Sequence, residues 1–417
     1  MKPRAGTRDD ALWLLAFVAA HVAIFAGLFR GVYSMSFSGT GLYYEYGSAL
    51  VAGHVPYRDF LVEYPPFALM FFTLPRLVDD TFRWYYVAYQ AQVIVFDLVA
   101  LGALYVARDR SRPAWWTLGA YTLAVLAVGP IMLQQYDIFP AAFTVLAVVC
   151  YSRKRDTAAW IFLALGVMTK AYPLLIAPVF LLLDWHRGRR LRDFTGVGIA
   201  FAATCFVVVL PLLVIAPSSL ERMLAFHAQR GIHMDSTYGS LALVTDVLNL
   251  TVVRIEMTFR SWNVAGPFPN LLTKLSTPLL GILLLGAYAF IARCIRTLDS
   301  ESTRDVSIVG TSVALVLLAG LIGSKVLSPQ YLVWVVPVVP LIAGPRRYAA
   351  WAVFTLLGLL TYYIYPLHYD ELLNHQVGAI AALASRNFLL VILTLIIADS
   401  LRLATRAPVT ASTFANA

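Results

Sequence analysis

Between residues 11 and 401 the chain repeats one pattern about twelve times: a run of mostly apolar residues long enough, or nearly so, to cross the ~30 Å hydrocarbon layer of a bilayer. A spanning helix needs about 20 such residues, and fewer where helices are broken inside a bundle. The runs lie at 11–33, 84–107, 114–131, 137–151, 157–170, 172–185, 194–216, 277–297, 306–323, 329–344, 348–365 and 377–401. The four between 114 and 185 are short and closely spaced. The run at 11–29 is too long for a signal-peptide core and has no small-residue cleavage site after it, so it reads as a retained helix.

Composition excludes the soluble alternatives. Hydrophobic residues make up 60% of the chain, against about 45–50% in soluble domains. Charged residues make up 13%, too few to coat two or three soluble domains. The expected fold is an all-α polytopic membrane protein, one transmembrane domain over 1–417 with about 12 transmembrane helices. Cys150, Cys205 and Cys294 all lie inside apolar runs and read as small core residues, not a disulfide framework or a metal site.

The net charge of +9 does not point to nucleic acid, because the basic residues fall in short clusters between apolar runs. With the N-terminus in the cytoplasm, the inner connections hold Arg108, Arg110, Arg112; Arg153, Lys154, Arg155; Arg187, Arg189, Arg190, Arg192; Arg293, Arg296, Arg304; and Arg346, Arg347. The opposite orientation breaks the positive-inside rule. Both termini are therefore expected to be cytoplasmic in a multi-pass plasma-membrane protein. Two long segments, about 34–83 and 217–276, then face outward, and functional sites collect on such loops.

The first outer segment carries G-H-V-P-Y-R-D-F-L-V-E-Y-P-P over 53–66. Residues 42–52 before it read as a short amphipathic helix with Leu42, Tyr46 and Leu50 on one face, ended by Gly53. Tyr64 precedes a proline and is pushed out of helical geometry. Asp59 and Glu63 thus sit on a stiff, non-regular stretch with Arg58 beside them, suited to a general base and its orienting partner. The plainer reading is that Arg58 pairs with one carboxylate while the prolines shape the loop. Three charges near predicted outer helix ends are expensive in a membrane: Asp137, Lys170 and Lys325. Lys170 and Lys325 come from separate connections and can converge on one anion such as a phosphate headgroup; the plainer readings are snorkelling lysines and a structural Asp137–Lys170 pair. The second outer segment holds the polar stretch H-A-Q-R-G-I-H-M-D-S-T over 227–237, with Arg230 and Ser236. His227 and His233 are six residues apart, which is no known metal-ligand spacing. Gly-rich phosphate loops, H-E-x-x-H, G-x-S-x-G and C-x-x-C are absent, so no metal or cofactor is expected. Asp97, within a run, reads as a helix–helix partner.

The stretch over 53–66, Q-Y-D-I-F-P over 135–140, T-K-A-Y-P-L-L over 169–175, the 227–237 stretch and S-K-V-L-S-P-Q-Y-L-V-W-V-V-P-V over 324–338 together resemble the membrane glycosyltransferases of family 87, a branch of the GT-C superfamily. They are similar to the actinobacterial polyprenol-phosphate-mannose-dependent mannosyltransferases. The resemblance implies a large helical bundle with short surface helices in the first outer loop. It implies a sugar donor on a polyprenyl monophosphate, a glycan or glycolipid acceptor in or at the lipid bilayer, and inverting transfer with a first-loop carboxylate as base. The family's D-x-x-x-Y pattern is broken here, with Gly39 at the acidic place before Tyr43. The base is then expected to be Glu63, Asp59 or Glu45, in that order, since Arg58 weakens Asp59 and Glu45 faces water. Lys170, Lys325 and Arg230 are the expected donor-phosphate ligands, and Tyr57, Arg58, Tyr64, Asp137, Tyr172, His227, Ser236 and Gln330 the expected substrate-binding residues. The rival functions are a flippase for a lipid-linked sugar, and a ligase or polymerase using a diphosphate donor. No inverted repeat of the transporter kind is visible.

The basic clusters generate a topology prediction. Single cysteines at Thr237 and at Ser300 should react with a membrane-impermeant thiol reagent from opposite sides. Labelling of both from one side overturns the orientation.

Overall fold

Each apolar run becomes a helical segment, but their lengths divide them into two sets. The computed structural model describes residues 6–32, 38–217, 221 and 229–406. Among these, seven helices are long and apolar enough to cross a bilayer: Asp9–Leu28, Phe82–Ala107, Leu191–Ile215, Pro267–Ile295, Val306–Gly323, Arg347–Leu367 and Val377–Arg406. The chain is a multi-pass membrane protein. Ala114–Val128, Ile138–Ser152, Asp156–Thr169 and Tyr172–His186 are shorter apolar helices. Residues 329–344, expected as a span, instead form two 3-10 segments, Pro329–Trp334 and Val339–Leu341. Pro329, Pro337 and Pro340 remove amide donors at short intervals, which an α-helix does not tolerate in its interior. Among the described residues, seven helices of full length and six shorter apolar ones thus stand where about twelve spanning helices were expected, and residues 329–344 depart from a regular span.

Val306–Gly323 is apolar all round and buried along nearly its whole length, as a helix at the centre of a bundle should be. Its close packing depends on small residues. A Cβ at Gly310 would lie 2.5 Å from the Leu341 side chain, and one at Gly358 would lie 2.8 Å from the Ala127 backbone. Thr195–Ile215 is the opposite case. Ile199, Val207 and Val214 are each more than 60% exposed, an apolar face suited to lipid.

Buried charges tie the helices together. Asp97 accepts from Tyr121 at 2.8 Å and pairs with His21 at 2.6 Å, joining three helices, so it is the helix–helix partner expected. At the basic end of the bundle, Arg304 bridges Asp156 at 2.5 Å and Asp184 at 3.0 Å, and Arg189 reaches the same two carboxylates.

The first outer segment forms short helices at Ser38–Val51 and Ala68–Leu77, the former ending as expected at Gly53 in the left-handed region (φ 85°). The second outer segment is more ordered than a loop. It holds a helix, Thr237–Val247, and a three-stranded antiparallel sheet of β1 (Ile232–His233), β2 (Arg254–Thr258) and β3 (Ser261–Ala265), in order β1-β3-β2. Ile232 faces Val264 and Arg254 faces Ala265. The β2–β3 turn is Phe259–Arg260, both with positive φ (50° and 55°). Tight hairpins normally place Asn or Gly there, so the turn carries no sequence signal.

Close helix approach generates a prediction. Gly358→Ala should destabilise the bundle by about 1–3 kcal/mol through overpacking against Ala127, read as a lowered Tm in detergent. Gly281→Ala, with open space around its added methyl, should leave Tm unchanged.

Candidate active site

The first loop is shaped by its own hydrogen bonds. His54 N–H donates to Ala49 at 3.0 Å and closes the helix end. Asp59 accepts from the Val55 amide at 2.7 Å and from Arg58 Nε at 2.8 Å. These bonds hold the Asp59 carboxyl down at about 2, first through Arg58 and then through the Val55 amide. Asp59 and Arg58 therefore pair with each other and brace the loop. Tyr57 is buried, with positive φ (63°), and its hydroxyl donates to the Tyr64 carbonyl. The Y-P-P stretch is then fastened to a neighbouring helix end by Phe67 N–H donating to Met168 O at 2.9 Å.

Glu63 emerges half-buried from this frame. Tyr46 donates to Glu63 Oε2 at 3.3 Å, and Arg260, from the hairpin tip, donates to the Tyr46 hydroxyl at 2.7 Å. Burial, and next the Glu63 charge, hold the Tyr46 hydroxyl far above its ordinary value, so it keeps its proton. Arg260 lies in no motif, and only the fold reveals it. Backbone strain at a non-glycine turn that delivers a cation to a carboxylate's partner is the kind found at functional sites. Glu45 is exposed on the outer side of its helix.

Gly39 packs against the 134–135 turn. A Cβ there would lie 2.7 Å from both Gln134 O and Gln135 Nε2. The place that the resemblance gives to an acid is thus closed by a close backbone approach.

Asp137, fully buried, heads the Ile138–Ser152 helix and accepts from Lys170 Nζ at 2.5 Å and Trp334 Nε1 at 2.6 Å on one oxygen. Lys170 also lies over the rings of Tyr136 (4.7 Å), Tyr331 (4.6 Å) and Trp334 (5.4 Å). Tyr172 stacks on Trp334 at 4.0 Å, and Tyr64 meets Tyr136 edge-on at 4.7 Å. Lys170 and Asp137 thus form a buried ion pair.

Beyond Tyr331 and Trp334 opens a cavity of about 290 Å³, lined also by Arg230, Ser276, Thr277 and Lys325. Burial, and then the Arg230 charge, lower the Lys325 ammonium below the usual lysine value. Two cations that repel each other across one cavity make a receptor for an anion. Lys170, expected as the third cation, does not line it. Gln330 lies at the start of the 3-10 segment next to this cavity and is half-buried.

The described part of the 227–237 stretch is largely structural. Ser236 Oγ accepts from Gly239 N–H at 2.9 Å and caps the Thr237–Val247 helix. Asp235 accepts from Tyr369 at 3.1 Å, and Arg386 donates to its carbonyl at 2.9 Å. His233 is buried, and burial followed by the Arg230 charge lower it to about 3. His227 lies outside the described residues. No group of three metal-ligating side chains occurs among the described residues.

A model of glycosyltransferase family 87 matches residues 60–320. No match is found among curated proteins. Among solved structures, the crystal structure of ArnT from Cupriavidus metallidurans bound to undecaprenyl phosphate is similar at 14% identity, over 93% of this chain and 77% of that one, with a TM-score of 0.47.

The buried pair generates a prediction. Asp137→Asn and Lys170→Met should each destabilise the protein by about 3–5 kcal/mol, because each leaves the other charge buried and alone. The double variant should lose less than the sum. Additive losses in thermal unfolding would show that the two residues act separately.

Proposed function

The chain belongs to glycosyltransferase family 87, and on that premise we propose that it moves a sugar, mannose in the first instance, from a polyprenyl-monophosphate carrier to a hydroxyl of a lipid-linked or cell-envelope glycan. The placing of Arg230 and Lys325 on one cavity carries the reading. The basic clusters at the other end of the bundle support a plasma-membrane protein with cytoplasmic termini and this cavity on the outer side.

Transfer of this kind is a substitution at the anomeric carbon. The acceptor oxygen forms the new glycosidic bond as the bond to phosphate breaks on the opposite face, so configuration inverts. The acceptor loses a proton as it attacks, and Glu63 takes it. Tyr46 donates to Glu63 Oε2, while Arg260 fixes Tyr46. The departing phosphate gains charge, which Arg230 and Lys325 are placed to receive. Thr277 lies on the same wall, while the Ser276 hydroxyl beside it donates to the Thr273 carbonyl at 2.8 Å. The crowding at Gly39 supports a base elsewhere in the first loop. Asp59, tied to Arg58 and the Val55 amide, is a weak base and falls behind Glu63.

The test is transfer from radiolabelled polyprenyl-phosphate mannose to a lipid-linked acceptor by the purified protein. Glu63→Gln should slow transfer by about 100-fold or more. Arg230→Met and Lys325→Met should each raise the barrier by about 2–4 kcal/mol. Normal rates in all three variants would overturn the site assignment. Movement of the lipid-linked sugar across the membrane without transfer would favour a flippase.

A further inference from the structure

A second cavity, of about 310 Å³, lies at the basic end of the bundle. The Ile138–Ser152 helix runs from Asp137 to Arg153, so this cavity sits about 22 Å along a helix axis from the site above. Arg108, Arg110, Arg153 and Arg304 line it, with Val106 and Val306 among its apolar wall. The ends of three helices meet here: the C-termini of Phe82–Ala107 and Ile138–Ser152 and the N-terminus of Val306–Gly323.

The charges around it do not balance. Arg108 is matched by Asp10 at 2.6 Å, and Arg304 by Asp156 and Asp184. Those last two carboxylates are shared with Arg189. Arg110 and Arg153 have no carboxylate within ion-pair distance among the described residues. Arg153 spends one donor on the Val106 carbonyl at 2.6 Å. The side chains of Arg108 and Arg304 are 8% and 3% exposed, and the Nε–H of each is buried with no hydrogen-bond partner among the described residues. Orphaned guanidinium donors are costly, and a bound acceptor removes that cost.

We propose that this cavity binds a phosphate-bearing anion, and that the anion is the headgroup of an acidic phospholipid. The phosphate sits among the four guanidinium groups, whose planar forks suit its oxygens. The glycerol end rests on the apolar wall, where Val106 is 42% exposed. A free phosphate has no use for that wall. Basic pockets between membrane helices are a recurrent seat for acidic headgroups. The bound lipid adds a bridge between three helix ends already joined by hydrogen bonds from Arg153 to the Val106 carbonyl and from Arg304 to the Tyr151 carbonyl, and binding to the folded state alone raises stability.

The test uses the full chain in detergent, titrated separately with phosphatidylglycerol, phosphatidylcholine and inorganic phosphate, with Tm and native mass spectrometry as readouts. Phosphatidylglycerol should raise Tm saturably and remain bound, and phosphatidylcholine should do neither. Arg110→Gln/Arg153→Gln removes the two arginines that make no ion pair, and should weaken phosphatidylglycerol binding about 30-fold. Arg110→Gln alone, the milder change should the double variant fold poorly, should weaken it about fivefold. Equal response of parent and variants, or equal response to the two lipids, overturns the proposal. Displacement of phosphatidylglycerol by millimolar inorganic phosphate, with the same Tm gain, overturns the lipid as source.

Discussion

Asp137 and Lys170 share one ion pair at the place where the chain's separate pieces meet, and much of the candidate site is arranged around it. Asp137 heads one helix and Lys170 closes another, and the Trp334 indole joins them from a 3-10 segment. Their charges cannot face the bilayer, so aromatic rings enclose them: Tyr136, Tyr331 and Trp334 around the ammonium, with Tyr172 stacked behind. That box becomes one wall of the cavity that Arg230 and Lys325 line. The buried pair therefore shapes the cavity through the aromatic rings packed around it.

The two ends of the bundle use arginine differently. At the end holding Glu63, Arg260 meets Tyr46, and Arg230 and Lys325 share one cavity. At the other end the arginines are crowded, and Asp156 and Asp184 hold the crowd together. The first arrangement suits recognition of one anion in one orientation. The second suits adhesion to a charged surface and fixes the helix ends against each other.

Much of this was legible in the residues. Apolar runs located most of the helices to within a few positions, although Pro267–Ile295 begins well before its expected start at 277. Gly53 marked the end of the first surface helix, and the Asp137–Lys170 pair was one of the two readings open for those charges. What the residues concealed has a common cause, namely contacts between segments far apart in the chain. Nothing near Arg260 indicates that a hairpin will carry it 214 positions back to Tyr46. Ser236 looked like a substrate ligand because a capping serine and a binding serine have the same local sequence. Residues 329–344 looked like a span because apolar content outweighed their prolines in the reading, whereas in the fold the missing amide donors decide.

The tight contact at Gly39 limits what any substitution there can do. An acid at that position needs a Cβ, and a Cβ there meets both the Gln135 side chain and the Gln134 carbonyl. Shortening Gln135 relieves only one of the two, since the other belongs to the backbone. An acid placed at Gly39 by a single substitution therefore has to push this turn aside. The displacement reaches the Tyr136–Asp137 corner on which the aromatic box is built, so the position works as a packing joint between the first surface helix and that box.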